Sequence, residues 1–254
     1  MEQIAVTLDA VCLAARIILE SGGETYRAEE TVERMCRGLK VPNVDVLALP
    51  TGLMLTLEPE EGHTLTRIVR VRERSIDLDR IDRCNAVSRR VAQGETTGEE
   101  ALRQLKEIHG KASMPQWLLL PASALSAAFF TVMLGGLWQD FLVSFFCGIT
   151  VQAVLPPLHK RRVPTLISSM IAGALTTLVA LLGTLLFRDV HVEPIIAGAI
   201  MPLLPGLATT NAIRDTLRGD LVSGGARIIE AMLCAVMLAA GIGLMLSMWG
   251  GMKL

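Results

Sequence analysis

Charge nearly disappears from this chain after its first 114 residues, and no other feature restricts its fold as much. Of 24 Lys+Arg and 25 Asp+Glu, residues 1–114 hold 16 and 19, leaving 8 and 6 for the remaining 140. The uncharged runs at 112–139, 141–158, 163–187, 194–213 and 231–252 each reach or approach the ~20 residues that carry a helix across a hydrocarbon core of roughly 30 Å. The expected fold is therefore an N-terminal α+β domain, residues 1–113, followed by an all-α membrane domain, residues 114–254. Five transmembrane helices are expected in the latter, at about 115–137, 139–158, 163–187, 194–213 and 228–250.

The charges between the runs set an orientation. Lys160, Arg161 and Arg162 follow the second span and Arg214, Arg218 and Arg227 the fourth, whereas the alternate connections hold only Arg188 and, at the C-terminus, Lys253. The positive-inside bias then places the first domain and both basic loops in the cytoplasm and the C-terminus outside. The amino end, MEQIAVTLDAVCLAARIILESGG, begins acidic and carries Asp9 and Arg16, so it does not read as a cleavable signal. Its Ile4, Leu8, Val11, Ala15 and Ile18 instead mark one face of a packed helix. Cys12, Cys36, Cys84, Cys147 and Cys234 form no paired motif, and His63, His109, His159 and His191 are equally dispersed. Neither set predicts disulfides, a metal site or a cofactor.

In the first domain, a break at Gly22-Gly23 and a Ser21-x-x-Glu24 capping pattern predict a second helix from Glu24 to Leu39, with Tyr26, Val32, Met35 and Leu39 inward. VDVLALPTGLMLTLEPEEGHTLTRIVRVRE then reads as a hairpin, its first strand bent at Pro50 and Gly52 and its turn at EPEEG. Helices at about 77–93 and 97–109 complete an ααββαα order. Glu24, Tyr26, Arg27 and His63 include acid/base residue types, which keeps a membrane-tethered hydrolase open as an alternative. The simpler reading makes Glu24, Glu29, Glu30 and Glu33 the acidic side of a helix, paired with Arg27, Arg34 and Arg37. With a net charge of −3 over residues 1–114, a nucleic-acid surface is not expected.

Within the membrane part, Trp117 and Trp138 read as interface anchors of the first span, and Gln152 as an isolated amide in the second. Small residues throughout the third and fifth spans favour close helix packing. The fourth span differs, because Pro202 and Pro205-Gly206 interrupt it before Thr209-Thr210-Asn211. Proline removes amide donors and opposes a continuous helix, and freed backbone groups are tolerated at membrane depth only against protein or a wet cavity. A half-helix starting at Gly206 would aim the amides of Leu207, Ala208 and Thr209, with the Thr209 and Thr210 hydroxyls, at a substrate carboxylate. A plain proline kink, with Asn211 as a terminal hydrogen-bonder, is the alternative. Asp215 shares a helical face with Asn211 and Arg218, and Arg227 shares another with Glu230; either set suits an interfacial ion pair or a coupling carboxylate.

PGLATTNAIRDTLRGDLVSGGAR resembles the signature region of the threonine/serine exporter family at Pro205, Gly206, Asn211, Asp215, Gly219, Gly224 or Gly225, and Arg227. SGGETYRAEETVERM is similar to the family's opening helix pair, with matches at Gly23, Glu24, Thr25, Tyr26, Arg27 and Glu29. The resemblance covers about residues 8–250 and implies a secondary exporter, not an enzyme. Because the chain stops after five expected spans, it is similar to the larger subunit of the split, YjjP-like type. That implies a small hydrophobic membrane subunit as partner, beside the lipid bilayer and a possible homo-oligomer. The implied substrate is a small carboxylate, either threonine and serine or a succinate-like dicarboxylate. Pro205, Gly206, Thr209, Thr210 and Asn211 would bind it, Asp215, Arg227 and Glu230 would couple or gate, and Gly23, Glu24, Tyr26 and Arg27 would form the cytoplasmic motif. A non-transporting regulatory scaffold is the remaining alternative.

Overall fold

The computed structural model describes residues 2–60, 63–111, 114–187 and 189–252. Arg188, Lys253, the Glu61-Gly62 tip of the expected turn and the Ala112-Ser113 boundary lie outside the described residues, as does the side chain of His63. By internal contacts the chain divides into two units. The first comprises Met1–Ser113 with Leu207–Ile228, and the second Met114–Gly206 with Ile229–Leu254.

The first unit begins with helices α1 (Glu2–Glu20) and α2 (Thr25–Gly38). On α1 the burial is broader than one face: besides Val11, Ala15 and Ile18, the side chains of Ala10, Ala14 and Ile17 are also buried, so α1 is a central helix. Val32 and Met35 of α2 point inward as expected, while Tyr26 and Leu39 are only half-buried. Ser21 does not cap α2. Its amide closes the last turn of α1 on the Ile17 carbonyl, and Glu24 takes the N-cap position without a side-chain cap bond.

Strands β1 (Asn43–Leu49), β2 (Gly52–Glu60) and β3 (His63–Arg70) follow, so the observed order is ααβββαα and the expected two-stranded hairpin is corrected to a three-stranded antiparallel sheet. Pro50 and Gly52 do not bend one strand. Pro50 and Thr51 reverse the chain between two, leaving Leu49 paired with Gly52. Alternation sends Leu53, Leu55 and Leu57 of β2 into the core with Ala48 of β1, against the helices. Helices α3 (Leu78–Ala92) and α4 (Gly98–Gly110) complete the order, capped by Asp77 and Thr97, whose side-chain oxygens accept from the amides of Arg80 and Glu100. Cys12, Cys36 and Cys84 lie in this core, their thiols pushed up to about 12 chiefly by burial, so they act as small apolar fillers.

The second unit contains α5 (Gln116–Met133), α6 (Trp138–Lys160), α7 (Thr165–Leu186), α8 (Val192–Ile200), a single 3-10 turn at Met201–Leu203, and most of α10 (Leu221–Met252). Among the described residues, α6, α7 and α10 are each long and apolar enough to cross a membrane. A fourth crossing is added if α8 and its 3-10 turn are joined with α9 (Gly206–Leu217) as one broken span. The apolar part of α5, Trp117–Met133, is shorter than these. Trp138 opens α6 rather than closing α5, and its ring meets Phe187 edge-on at 6.3 Å.

Candidate functional site

The proline-interrupted stretch breaks where the backbone chemistry requires. The 3-10 turn containing Pro202 ends at Leu203, the Leu204 amide reaches back to Ile200 and Met201, and a new helix, α9, starts at Gly206. Thr209 and Thr210 are exposed on its opening turns. Asn211, Ala212 and Asp215, at i, i+1 and i+4, form its buried side.

A tight reversal then joins α9 to α10. Gly219 adopts φ +93°, a conformation suited to glycine, and the amides of Gly219 and Asp220 return to the carbonyls of Thr216 and Asp215. Asp220 begins the next helix, its carboxylate accepting from the Ser223 amide at 3.0 Å. Gly224 packs directly against α9: a Cβ there would collide with Thr216 Oγ1 and stand 2.9 Å from the Ala212 carbonyl. At Gly225 a Cβ would meet nothing within 4 Å. Of the two glycines, Gly224 is therefore the one that the hairpin geometry needs.

This reversal brings Arg227 back to Asp215, with Nε 3.3 Å from Oδ2. Both side chains are buried, at 5% and 0% exposure, so neither charge has bulk water to fall back on. Arg227 also donates through Nη2 to the Gly23 carbonyl at 2.8 Å, and the Asn211 amide donates to the Gly22 carbonyl at 2.8 Å. The chain break after α1 thus presents two carbonyl oxygens to the two signature side chains. Glu24, next in sequence, is buried between arginines: Arg214 donates to its Oε1, and Arg27 Nε lies 3.3 Å from Oε2. Thr25 donates its hydroxyl to Asp220 Oδ2 at 3.1 Å, and the Arg218 guanidinium sits 4.2 Å from the centre of the Tyr26 ring.

The two motifs, separated by about 190 residues, therefore form one network inside the first unit. Sequence spacing proposed Asp215 with Arg218 and Arg227 with Glu230. The observed partners of Arg227 include Asp215 and the Gly23 carbonyl, while Arg218 stacks on Tyr26 and Glu230 lies beyond the first unit on α10. Thr25, Arg214, Arg218 and Asp220 were not singled out as site residues. The spacing carries a signal for Arg214 and Arg218, since Asn211, Arg214, Asp215 and Arg218 follow i, i+3, i+4 and i+7, and none for Thr25 or Asp220. With both Glu24 oxygens engaged by guanidinium groups, the carboxylate ties α2 to α9 instead of facing an open reaction site.

In the second unit, Gln152 is half-buried on α6 and Trp117 and Trp138 are exposed. Asp140 was overlooked there. It is fully buried in the first turn of α6 and accepts from the amides of Leu137 and His191, both at 2.8 Å, with His191 Nδ1 at 3.1 Å. It closes the α5–α6 turn onto the start of α8.

Comparison with known proteins adds a family. The chain is 25% identical over 249 residues to the "Threonine/serine exporter" of Corynebacterium glutamicum, covering 95% of this chain and 51% of that protein. It is 26% identical over 257 residues to the "Probable succinate transporter subunit YjjP" of Klebsiella aerogenes and 25% identical to that of Escherichia coli K12, covering 98% of this chain and 96% of each relative. The chain thus spans about half the length of the first relative and nearly the whole of the other two. No solved structure matches it. These are names of transporters, not enzymes, and the apolar helices make this a multi-pass membrane protein. The model described as "Putative threonine/serine exporter" matches residues 9–249, and the chain belongs to the threonine/serine exporter family.

Proposed function

We propose that this chain is the larger subunit of a gradient-driven exporter of small carboxylates, with threonine and serine as first substrates, acting with a small, separately encoded membrane subunit. The observation that carries this reading is the buried Asp215–Arg227 pair, beside a half-helix that begins at Gly206. A guanidinium already paired with a carboxylate is a built receptor for a substrate carboxylate. Protonation of Asp215 would release Arg227 to the substrate, and deprotonation would recapture it, which couples export to a proton gradient. Pro205, Gly206, Thr209, Thr210 and Asn211 would line the substrate path at the break, and Glu230 would follow Arg227 at the cytoplasmic rim.

The reading places residues 1–113 in the cytoplasm as a domain that gates access, with the C-terminus outside a bacterial inner membrane. Five crossings result if α5 is a short span and the α8–α9 pair is one broken span. At 18 residues α5 is about 27 Å long, close to the hydrocarbon thickness of roughly 30 Å.

A second substrate, a succinate-like dicarboxylate, is favoured by one observation: the relatives that this chain matches nearly end to end are named as succinate transporter subunits. Efflux of preloaded labelled threonine and succinate from cells expressing this chain, with and without the small subunit, tests both parts. Efflux that needs both chains supports the two-subunit exporter and selects its substrate. No efflux of either compound from cells holding the assembled pair would overturn the proposal.

A further inference from the structure

A pocket of about 280 Å³ lies within the first unit, apart from the Asp215–Arg227 pair. Its wall on α2 is one helical side, where Tyr26, Glu30 and Arg34 follow four-residue spacing and Arg27 flanks them. Asn85 and Arg89, one turn apart on α3, form the facing wall, and Arg218 from the α9–α10 turn closes the rim. Four arginines thus surround one small space that includes a single glutamate.

One glutamate in the lining does not balance four guanidinium groups, and three of the four also have partners within the protein. Arg34 holds that glutamate, Glu30, at 2.7 Å, Arg27 lies beside the buried Glu24, and Arg218 rests on the Tyr26 ring. Arg89 is exposed and has no ion-pair partner among the described residues. This basic concavity stands in a unit whose first 114 residues are net acidic, so it is not a sample of a generally basic surface. Guanidinium groups converging from three elements suit a ligand with several anionic oxygens, each able to take a bidentate contact. The volume lies just below the usual range of ligand pockets, about 300–1,000 Å³, which suits a small ligand.

From this geometry we infer that the pocket binds a small polyanion carrying at least two negative charges on carboxylate or phosphate oxygens. A ligand bridging Arg34, Arg89 and Arg218 would clamp α2 and α3 to the turn that follows Asp215, so the site would be regulatory. The inference goes beyond the transport reading and does not depend on it, because its readout is binding.

The test uses the purified full chain in detergent, titrated calorimetrically with citrate, succinate and inorganic phosphate at constant ionic strength, with acetate as the monoanion. Arg34→Gln and Arg89→Gln are compared with Arg103→Gln, a charge removed from α4 outside the pocket; matched unfolding temperatures without ligand establish that all three fold. The expected result is saturable binding of citrate or phosphate, weakened about tenfold or more by each pocket substitution, unchanged by Arg103→Gln, and absent for acetate. Preference for citrate assigns a carboxylate ligand and preference for phosphate a phosphorylated one. Lack of saturable binding for all three polyanions, or binding that survives both pocket substitutions, overturns the inference. The second outcome includes succinate bound only at a transport site.

Discussion

Asp215 and Arg227 lie twelve residues apart, on different helices, and find each other only because Gly219 turns the chain. Spacing rules for a single helix pair residues three or four apart, so they do not connect two side chains across a turn. The buried charges make the consequence measurable. Arg227→Ala would leave a carboxylate in a dry site and should lower stability by about 3–5 kcal/mol. Adding Asp215→Asn should restore much of that loss, and equality of the single and double variants in thermal unfolding would contradict a direct pair. Glu29 supplies a pH signature. Its carboxylate accepts from the Ala48 amide at 2.8 Å, and burial raises its pKa above the ordinary 4.5 despite that bond. A raised carboxylate pKa contributes stability that is full below the unfolded value and lost as pH rises through the folded one. Glu29→Gln should therefore gain on the wild type as pH rises from about 4.5 toward neutrality. A constant difference in unfolding temperature across that range would contradict it.

At the scale of elements, the helices were legible because apolar periodicity and break residues agree: 77–93 and 97–109 were expected, and Leu78–Ala92 and Gly98–Gly110 are observed. The sheet was misread at Pro50. A proline inside an apolar run reads as a bend, and none of the Asn-Gly or Asp-Gly signals of a two-residue hairpin stands there to say that the chain reverses. The break at Gly206 was legible, since proline chemistry is local. The packing of α9 against α10 was not, because it rests on a missing Cβ at Gly224 facing Thr216 and Ala212. This gives a paired prediction. Gly224→Ala should destabilise by about 1–3 kcal/mol through forced separation of the two helices. Gly225→Ala, with open space at its Cβ, should be neutral or slightly stabilising through helix propensity. Similar losses for both in thermal unfolding would count against the close crossing.

For the whole molecule, the charge layout separated an acidic, sheet-containing part from an apolar helical one, but it placed residues 194–213 wholly with the membrane helices. By contacts, Leu207–Ile228 group with the first unit, where Asn211 donates to the Gly22 carbonyl, Arg214 pairs with Glu24, and Arg227 lies beside Asp215 and donates to the Gly23 carbonyl. No local pattern encodes a tie across about 190 residues, which is why that part of the site came from structure. The same tie makes one network of both motifs, and the proposed exporter depends on it. The most direct test is efflux of the transported carboxylate by Asp215→Asn, which preserves shape and one acceptor oxygen but cannot ionise, at membrane abundance equal to wild type and with the small subunit present. Abolished efflux is the predicted result. Efflux at the wild-type rate would contradict a coupling role for Asp215 and the account built on its pairing with Arg227.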